Sequence, residues 1–495
     1  MIGNQQRWQE DLFVAGPLSS LIPSDHILKQ VDKVLDLSWL RTEVADYYSK
    51  TMGRPSIDPE AALRLMLAGY FQGIVHDRKL MREAQVNLAI RWFAGFRLDE
   101  ALPEHSSLTK IRQRWGSERF KKIFQKTVQM CIEAGLVNGE TVHIDSTLIR
   151  ADVSWESLTT EYADKTLKEN RLEDDSNEHI SRTGKPKKRS TTDPDATLTT
   201  SSHNSRMEPS FKQHTVVDDQ CGVVLDVETT TGEASEGKEL LKQIERTEQT
   251  TGRKIKTATA DMAYAHTENY SQLEQRKTEA IIPVQTSHTS PKNIPIQRFK
   301  YDARNQMVRC PKGKILRRSS RTEKGWVYRA TNKDCAGCPL KCRCISSKAK
   351  VRLILITDGY ESLLRARRRW QKRNENIRDK YKRHKWRVEG IHGEAKTQHG
   401  LRRAVRRGLA NVSIQVYLTA MVMNLKRLAA FLLRFLTRWK ANHKHYGLFA
   451  RWRLNLREIL LPQRLSDYVW RTVAQQENLC DFFNSPTVPN CVVDV

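Results

Sequence analysis

At 495 residues the chain is too long for one ordinary hydrophobic core, and two or three domains are expected. Lys and Arg number 84 against 57 acids, a formal net charge of +27, which points to a polyanionic partner. The N-terminal MIGNQQRWQEDLF has no apolar core segment, and the most apolar run, 414–436, contains Asn424, Lys426, Arg427 and Arg434, so neither a signal peptide nor a membrane span is expected. These features predict a cytoplasmic protein without a membrane partner, whose nine cysteines serve as thiols or metal ligands and not as disulfides.

Residues 1–137 read as an all-helical domain. Asp58 and Pro59 supply a cap and a first-turn proline, and the largely apolar run to Ile74 follows. A second helix is expected over 78–93. Ser106 and Ser107 can cap a third, with Lys110, Arg112 and Arg114 on its polar side. A fourth spans 117–134, turns Phe120, Ile123, Phe124, Val128 and Ile132 inward, and stops at Gly135.

At Asn138-Gly139 the pattern becomes alternating, with Val142 and Ile144 on one face of a strand and His143, Asp145 and Thr147 on the other. An acid on a half-buried strand is costly unless it is paired or binds a cation, which singles out Asp145. The polar stretch 159–209 reads as a long mobile loop. A hairpin around Asp218 to Gly222 comes next, then a helix over 235–248, a strand over 255–260 ending on Asp261, a helix opening near His266, and the strand EAIIPVQ. The implied fold is α/β: a mixed sheet with flanking helices in 138–430, preceded by the helical domain, carrying a Cys-rich insertion at about 290–350, and followed by a helical tail over 431–495.

The residues 361–410 hold 17 Lys or Arg and 5 acids, and so supply +12 of the net charge. Inside them, YKRHKWRVEGIHGEAKTQHGLRRAVRRG predicts a helix with Lys385, Glu389, His392, Lys396 and His399 along one face and Val388, Ile391 and Ala395 as the docking stripe. Glu394 points elsewhere. Gly390 and Gly393 each cost about 1 kcal/mol in a helix, which close approach of another element or of substrate would explain. Trp370 and Trp386 are expected to pack in the core.

If Asp145, Asp261 and Glu389 converge, they repel one another until a cation neutralises them. Hard oxygen ligands suit Mg²⁺ or Mn²⁺. Two such ions about 3.5–4 Å apart would activate an attacking water or hydroxyl and stabilise the leaving 3′ oxygen of a phosphoryl transfer. Lys396 would then bind a phosphate near the scissile bond.

The cysteines form a separate group. Cys310 in VRCPKGK, with Cys335, Cys338 and Cys344 in CAGCPLKCRC, is the expected structural Zn²⁺ set, and Cys342 is the rival for the fourth place. Cys131, Cys221, Cys480 and Cys491 are scattered and expected to be inert.

Taken together, GRPSIDPEAALRLML and RWFAG, HIDSTLIRAD, TADMAYAHTENY, and RVEGIHGEAK with LRRAVRRG resemble a DDE transposase of a bacterial insertion sequence, in the insertion-sequence four/five superfamily and most like its eleven-eighty-two branch. The CPKGK and CAGCPLKCRC elements resemble that branch's insertion before the catalytic helix. The resemblance covers about residues 13–430 and implies an RNase H-like core, with Asp145, Asp261 and Glu389 as the metal-binding triad and Lys396 as the lysine seven residues past the Glu. It further implies binding of the element's terminal inverted repeats, cleavage at its ends and joining of 3′ hydroxyls to target DNA, by a homodimer on paired ends in the bacterial nucleoid. Lys382, Lys385, Arg402, Arg403, Arg406 and Arg407 are the expected contacts to double-stranded DNA. Lys382 and Lys385 stand where related enzymes often have a tyrosine and an arginine. The competing readings are a transposase remnant that only binds DNA and an RNase H-like nuclease that cuts without joining.

Overall fold

A computed structural model of the chain describes residues 16–49, 52, 56–159, 189–200, 207–284, 294–346 and 349–442. Most of the loop expected over 159–209, the tail beyond Asn442 with Cys480 and Cys491, and Gly53 to Pro55 of the first motif lie outside the described residues. In chain order, six helices open the described protein: α1 (Ile27–Asp32), α2 (Leu40–Val44), α3 (Pro59–Phe71), α4 (Asp77–Val86), α5 (Leu88–Ala94) and α6 (His105–Glu133). Strands β1 (Thr141–Arg150), β2 (Leu158–Thr159), β3 (Arg189–Ser190), β4 (Thr197–Thr199), β5 (Glu208–Asp218) and β6 (Val224–Thr231) follow, then α7 (Glu236–Thr251), β7 (Thr257–Ala260), α8 (Thr267–Gln275) and β8 (Glu279–Ile281). The insertion holds β9 (Lys300–Asp302), β10 (Met307–Arg309), β11 (Ile315–Thr322), β12 (Gly325–Arg329), α9 (Asn332–Ala336), α10 (Lys341–Cys344) and β13 (Leu353–Thr357). Helices α11 (Tyr360–Gln371), α12 (Glu375–Thr397) and α13 (Leu409–Asn442) complete the order.

The chain divides into two compact units, one of residues 1–136, 148–211 and 392–495, the other of residues 137–147 and 212–391. The boundaries differ from those expected from composition, because contacts far apart in sequence, not chain order, decide what clusters.

In the first unit the Asp58 carboxylate accepts the N–H of Glu60 at 2.7 Å and so starts α3, with Pro59 in the first turn. The single helix expected over 78–93 is two, because Asn87 is extended and its side chain accepts the N–H groups of Ala89 and Ile90 to cap α5. Gly116 breaks α6 with φ 68° and ψ 171°, a conformation open to glycine, between the two helices expected there. Helix α13 packs on α6: Phe124 stacks on Tyr417 at 6.2 Å and the Cys131 thiol meets the Asn424 carbonyl. Leu409–Phe435 is long and apolar enough to cross a membrane by composition alone, but 67% of its most apolar window is buried inside the protein, as expected of a core helix apolar on most sides.

The first sheet, most of which lies in the second unit, has six strands in the order β4-β5-β1-β7-β8, with β6 pairing β5 off this path. β5 and β6 form the expected hairpin, while β1, β7 and β8 are parallel. Parallel strands need crossovers, and α7 and α8 supply them. The insertion adds a five-stranded antiparallel sheet, β13-β12-β11-β10-β9, around Val308, Leu316, Tyr328, Ile354 and Ile356. Its strands were not legible in the sequence. Arg365 on α11 holds Glu274 on α8 bidentately at 2.8 Å.

Candidate active site

The parallel register of β1 and β7 pairs Ile144 with Ala260, so Asp145, midway along β1, neighbours Asp261, which follows the end of β7. Asp261 also accepts the N–H of Ala263 at 2.9 Å and caps the short turn that follows. Glu389 lies on an exposed position of α12. Burial pushes the Asp145 carboxyl up to about 7, and the negative charges of Asp261, Glu236 and Glu389 push the same way, against the N–H of Ser146. Asp261 is raised too, by burial first and then by Glu236, although the N–H groups of Ala263 and Tyr264 oppose the shift. Asp145 thus feels the charge of each of the other two acids singled out in the sequence.

Glu236 is a fourth acid, one that periodicity did not single out. It is the first residue of α7 and forms an ion pair with Lys212 on β5 at 3.0 Å. Asn269, almost fully buried, donates to the carbonyls of Gly237 and Tyr264, tying the start of α7 to the loop after Asp261. The only sequence signal was an acid in the first turn of a helix, which is commonplace. Tyr264 is buried beside these acids, and burial and then the charge of Asp145 drive its phenol well up. Among the described residues no three His, Cys, Asp or Glu side chains stand close enough together to hold a metal ion.

Helix α12 is tied to the sheet beneath it by a polar cluster. Asp219, in the β5–β6 turn, accepts from His143 at 2.9 Å and bidentately from Arg383 at 2.9 and 3.0 Å. Arg387 donates to the Gln220 carbonyl at 2.7 Å, and Lys380 reaches Glu279 at 3.4 Å. The His384 ring packs between those of His143 and Tyr381, at 5.6 and 5.9 Å. His143, two residues before Asp145 on β1, is fully buried and anchors the helix that carries Glu389.

The face expected on α12 changes character along its length. Lys385 and Glu389 are exposed, His392 is buried, Lys396 is half-buried, and His399, just past the helix, is buried with Nδ1 at 2.8 Å from the Tyr70 carbonyl. Burial, then Lys396, push the His392 imidazole down to about 3. Val388, Ile391 and Ala395 are buried, as the spacing predicts. Gly390 and Gly393 are not covered by another element: a Cβ at either would meet nothing within 4 Å. Glu394 does point elsewhere, into an ion-paired cluster with Lys426 at 2.8 Å, Arg427 at 3.0 Å and His399 at 3.5 Å. Trp386 is 45% exposed with Arg387 stacked on it at 4.3 Å, and is not a core residue; Trp370 is half-buried edge-on to Tyr381 at 5.0 Å.

Of the expected DNA contacts, Lys382, Lys385, Arg402, Arg403 and Arg407 are exposed. Arg403 pairs with Asp152 at 3.1 Å and Lys382 with Asp379 at 3.4 Å, both loose surface pairs. Arg406 departs from the expectation. It is folded inward onto Asp77 at 2.7 Å, beside Arg112, itself buried and not on the polar side of its helix.

Cys310, Cys335 and Cys344 pack against the insertion core. Burial pushes the Cys344 thiol up, and the charges of Cys335, Cys338 and Cys310 push it further. Cys342 is exposed. Cys310 also closes a tight turn, its carbonyl accepting the Gly313 N–H at 2.8 Å.

Two segments match known families. Residues 17–114 match a family described as a transposase domain (DUF772), and residues 309–429 match one described as a transposase DDE domain. The second segment includes Glu389, Lys396 and the clustered cysteines; Asp145 and Asp261 lie outside both. No curated protein matches the chain. A solved piggyBac transposase synaptic complex with hairpin DNA is similar over 92% of this chain and 83% of that chain, at 10% identity and a TM-score of 0.30, a likeness too loose to bear on function.

Proposed function

We propose that this chain is a DDE-type DNA transposase that binds the terminal inverted repeats of its own bacterial insertion sequence, cleaves at the ends and joins the 3′ hydroxyls to target DNA. The observation that carries the reading is the pair of transposase-type segments in the chain, and the influence of Asp261 and Glu389 on the Asp145 carboxyl supports it. The strand order, a hairpin beside three parallel strands, supports assigning the first sheet to an RNase H-like core.

The donor chemistry of these acids fits Mg²⁺ or Mn²⁺: oxygen ligands whose mutual repulsion a cation would relieve. When bound, a pair of such ions supplies Lewis-acid activation of the attacking and leaving oxygens. The chain's own part is to hold the carboxylates: the β1–β7 register fixes Asp145 beside Asp261, and the Asp219 cluster fixes the helix of Glu389. Lys396 is assigned to a phosphate, and Lys382, Lys385, Arg402, Arg403 and Arg407 to the DNA backbone, which makes binding strongly salt dependent. Assembly as a homodimer on paired ends, in the bacterial cytoplasm, belongs to the same reading.

Strand cleavage and joining with Mg²⁺, on DNA carrying the element's own ends, tests it. Glu389→Gln should lose both reactions by on the order of 10²- to 10³-fold with DNA binding kept, while Glu375→Gln, on the exposed first turn of the same helix, keeps them. Cutting without joining would indicate a nuclease; binding without cutting would indicate a remnant.

We assign a structural Zn²⁺ to Cys310, Cys335, Cys338 and Cys344, whose soft sulfur donors suit a closed tetrahedral site. Purified protein should carry about one zinc per chain. Cys344→Ser should release it and lower the melting temperature, whereas Cys342→Ser should do neither. Zinc-free protein, or zinc lost on Cys342→Ser, overturns the assignment.

A further inference from the structure

The insertion sheet has a second face, opposite its core, with a chemistry that zinc ligation does not explain. Arg317 on β11 and Arg329 on β12 are direct cross-strand partners, and Leu353 on β13 continues the row. Like charges directly opposite each other on an antiparallel pair are destabilising unless something neutralises them. Both arginines are exposed, and with Arg318, Lys350, Thr331 and Asn332 they line a shallow cavity of about 410 Å³. No carboxylate lines it among the described residues.

The contrast with Arg321, four residues along the same strand, is informative. That guanidinium is held bidentately by Asp358 at 2.7 and 2.8 Å, so the sheet neutralises one of its arginines internally. The β11–β12 register shifts between Arg318 and Ser320, a bulge beside the cavity, and bulges re-aim side chains where a strand meets a ligand.

We propose that this cavity is an additional DNA-docking surface, taking the phosphodiester backbone of a duplex through Arg317, Arg329 and Lys350, away from the acids. The occupant follows from charge complementarity: four cations, two of them forced together by strand pairing, beside the Ser319 hydroxyl and the Asn332 amide, which can donate to phosphate oxygens, while the Thr331 hydroxyl is held by Asp334 at 2.6 Å. Trp326 already has Arg318 at 4.4 Å and Arg321 at 5.6 Å from its ring centre, which favours phosphate contacts over stacking of bare bases. The inference rests on the transposase reading and gives the Cys-rich insertion a task within it.

The test compares the full-length protein with Arg317→Gln/Arg329→Gln and with Arg317→Lys/Arg329→Lys, by titrating duplex DNA at several salt concentrations. The Gln pair should flatten the slope of log K against log salt by about 2, at about 0.9 per phosphate released, and weaken binding on the order of tenfold at moderate salt. The Lys pair, which keeps both charges, should retain most of the slope. The Gln pair should melt at or above the temperature of the unaltered protein, since it removes a like-charge pair. An unchanged slope and affinity in the folded Gln pair overturns the docking surface and leaves the transposase reading standing; failure of the unaltered protein to bind duplex DNA overturns both. If inorganic phosphate at millimolar concentration raises the melting temperature of the unaltered protein but not of the Gln pair, while DNA affinity is equal in the two, the cavity is a site for free phosphate and the proposal fails.

Discussion

Replacing Asp77 with Ala should cost the protein about 3–5 kcal/mol of stability, a large share of the roughly 5–15 kcal/mol that holds an ordinary fold together. Asp77 opens α4, is 8% exposed, and receives Arg112 bidentately at 2.7 and 2.8 Å, Arg406 at 2.7 Å and the Thr109 hydroxyl at 3.2 Å. Removing its carboxylate leaves two buried or half-buried guanidiniums facing each other with no counter-charge. Burial is the largest single influence on the Asp77 carboxyl and pushes it up, but Arg112 and Arg406 together outweigh it and hold the group below the usual range. A carboxyl depressed in the folded state stabilises the fold above its unfolded pKa of about 3.9. That stability is lost as pH falls through the lower folded value. Urea melts at neutral pH measure the effect, and a loss below about 1 kcal/mol would show that the network is not what holds these helices. Arg406→Gln separates two roles: as a structural partner it lowers the urea midpoint, whereas a DNA contact would instead flatten the salt dependence of DNA binding at unchanged stability.

Arg406 also shows where sequence reading stops. In LRRAVRRG nothing local distinguishes it from Arg407, yet one is folded onto Asp77, 329 residues earlier, while the other is exposed. The helix starts at Asp58-Pro59, the stop at Gly135, the β5–β6 hairpin and the strands flanking α7 and α8 were legible, because caps, turns and period-two alternation are local signals. So was the apolar stripe Val388, Ile391 and Ala395. Glu236 was not legible, since its nearness to Asp145 arises only when α7 returns beside the β1–β7 pair. The insertion strands escaped notice because β9 and β10 have three residues each and β11 interleaves arginines with few apolar residues. The break at Asn87 was missed because its capping role competes with an otherwise continuous helical pattern, and the cap prevailed.

Asp145→Asn should abolish strand cleavage and, in the absence of divalent ions at pH 8, make the protein more stable. The Asp145 carboxyl stands near 7 in the folded protein against an ordinary 3.8, raised by burial and then by Asp261, Glu236 and Glu389. An acid raised in the folded state keeps its proton there after the unfolded chain has lost it. Stability therefore falls as pH rises from about 4 to about 7, by about 1.4 kcal/mol per unit, on the order of 4 kcal/mol in all. Asparagine has no charge to lose, so the gap between variant and parent should open from about pH 4 to about pH 7 and be complete at pH 8. A divalent cation reverses the comparison: it stabilises only the protein that binds it, by about 1.4 kcal/mol for each tenfold excess over its dissociation constant. Urea melts at both pH values, with EDTA or with Mg²⁺, read all four states. Equal stability at pH 8 and indifference of the parent to Mg²⁺ would mean that the acids do not strain one another, and the metal-binding role of Asp145 would fall with that. A parent that gains stability from Mg²⁺ while the Asn variant does not would instead identify the strain as the stored repulsion that a bound cation relieves. That instability of the metal-free protein follows from bringing Asp261, Glu236 and Glu389 within reach of Asp145 beside the central β1–β7 pair of the sheet, where hydrogen bonds from Ser146, Ala263 and Tyr264 offset only part of the repulsion.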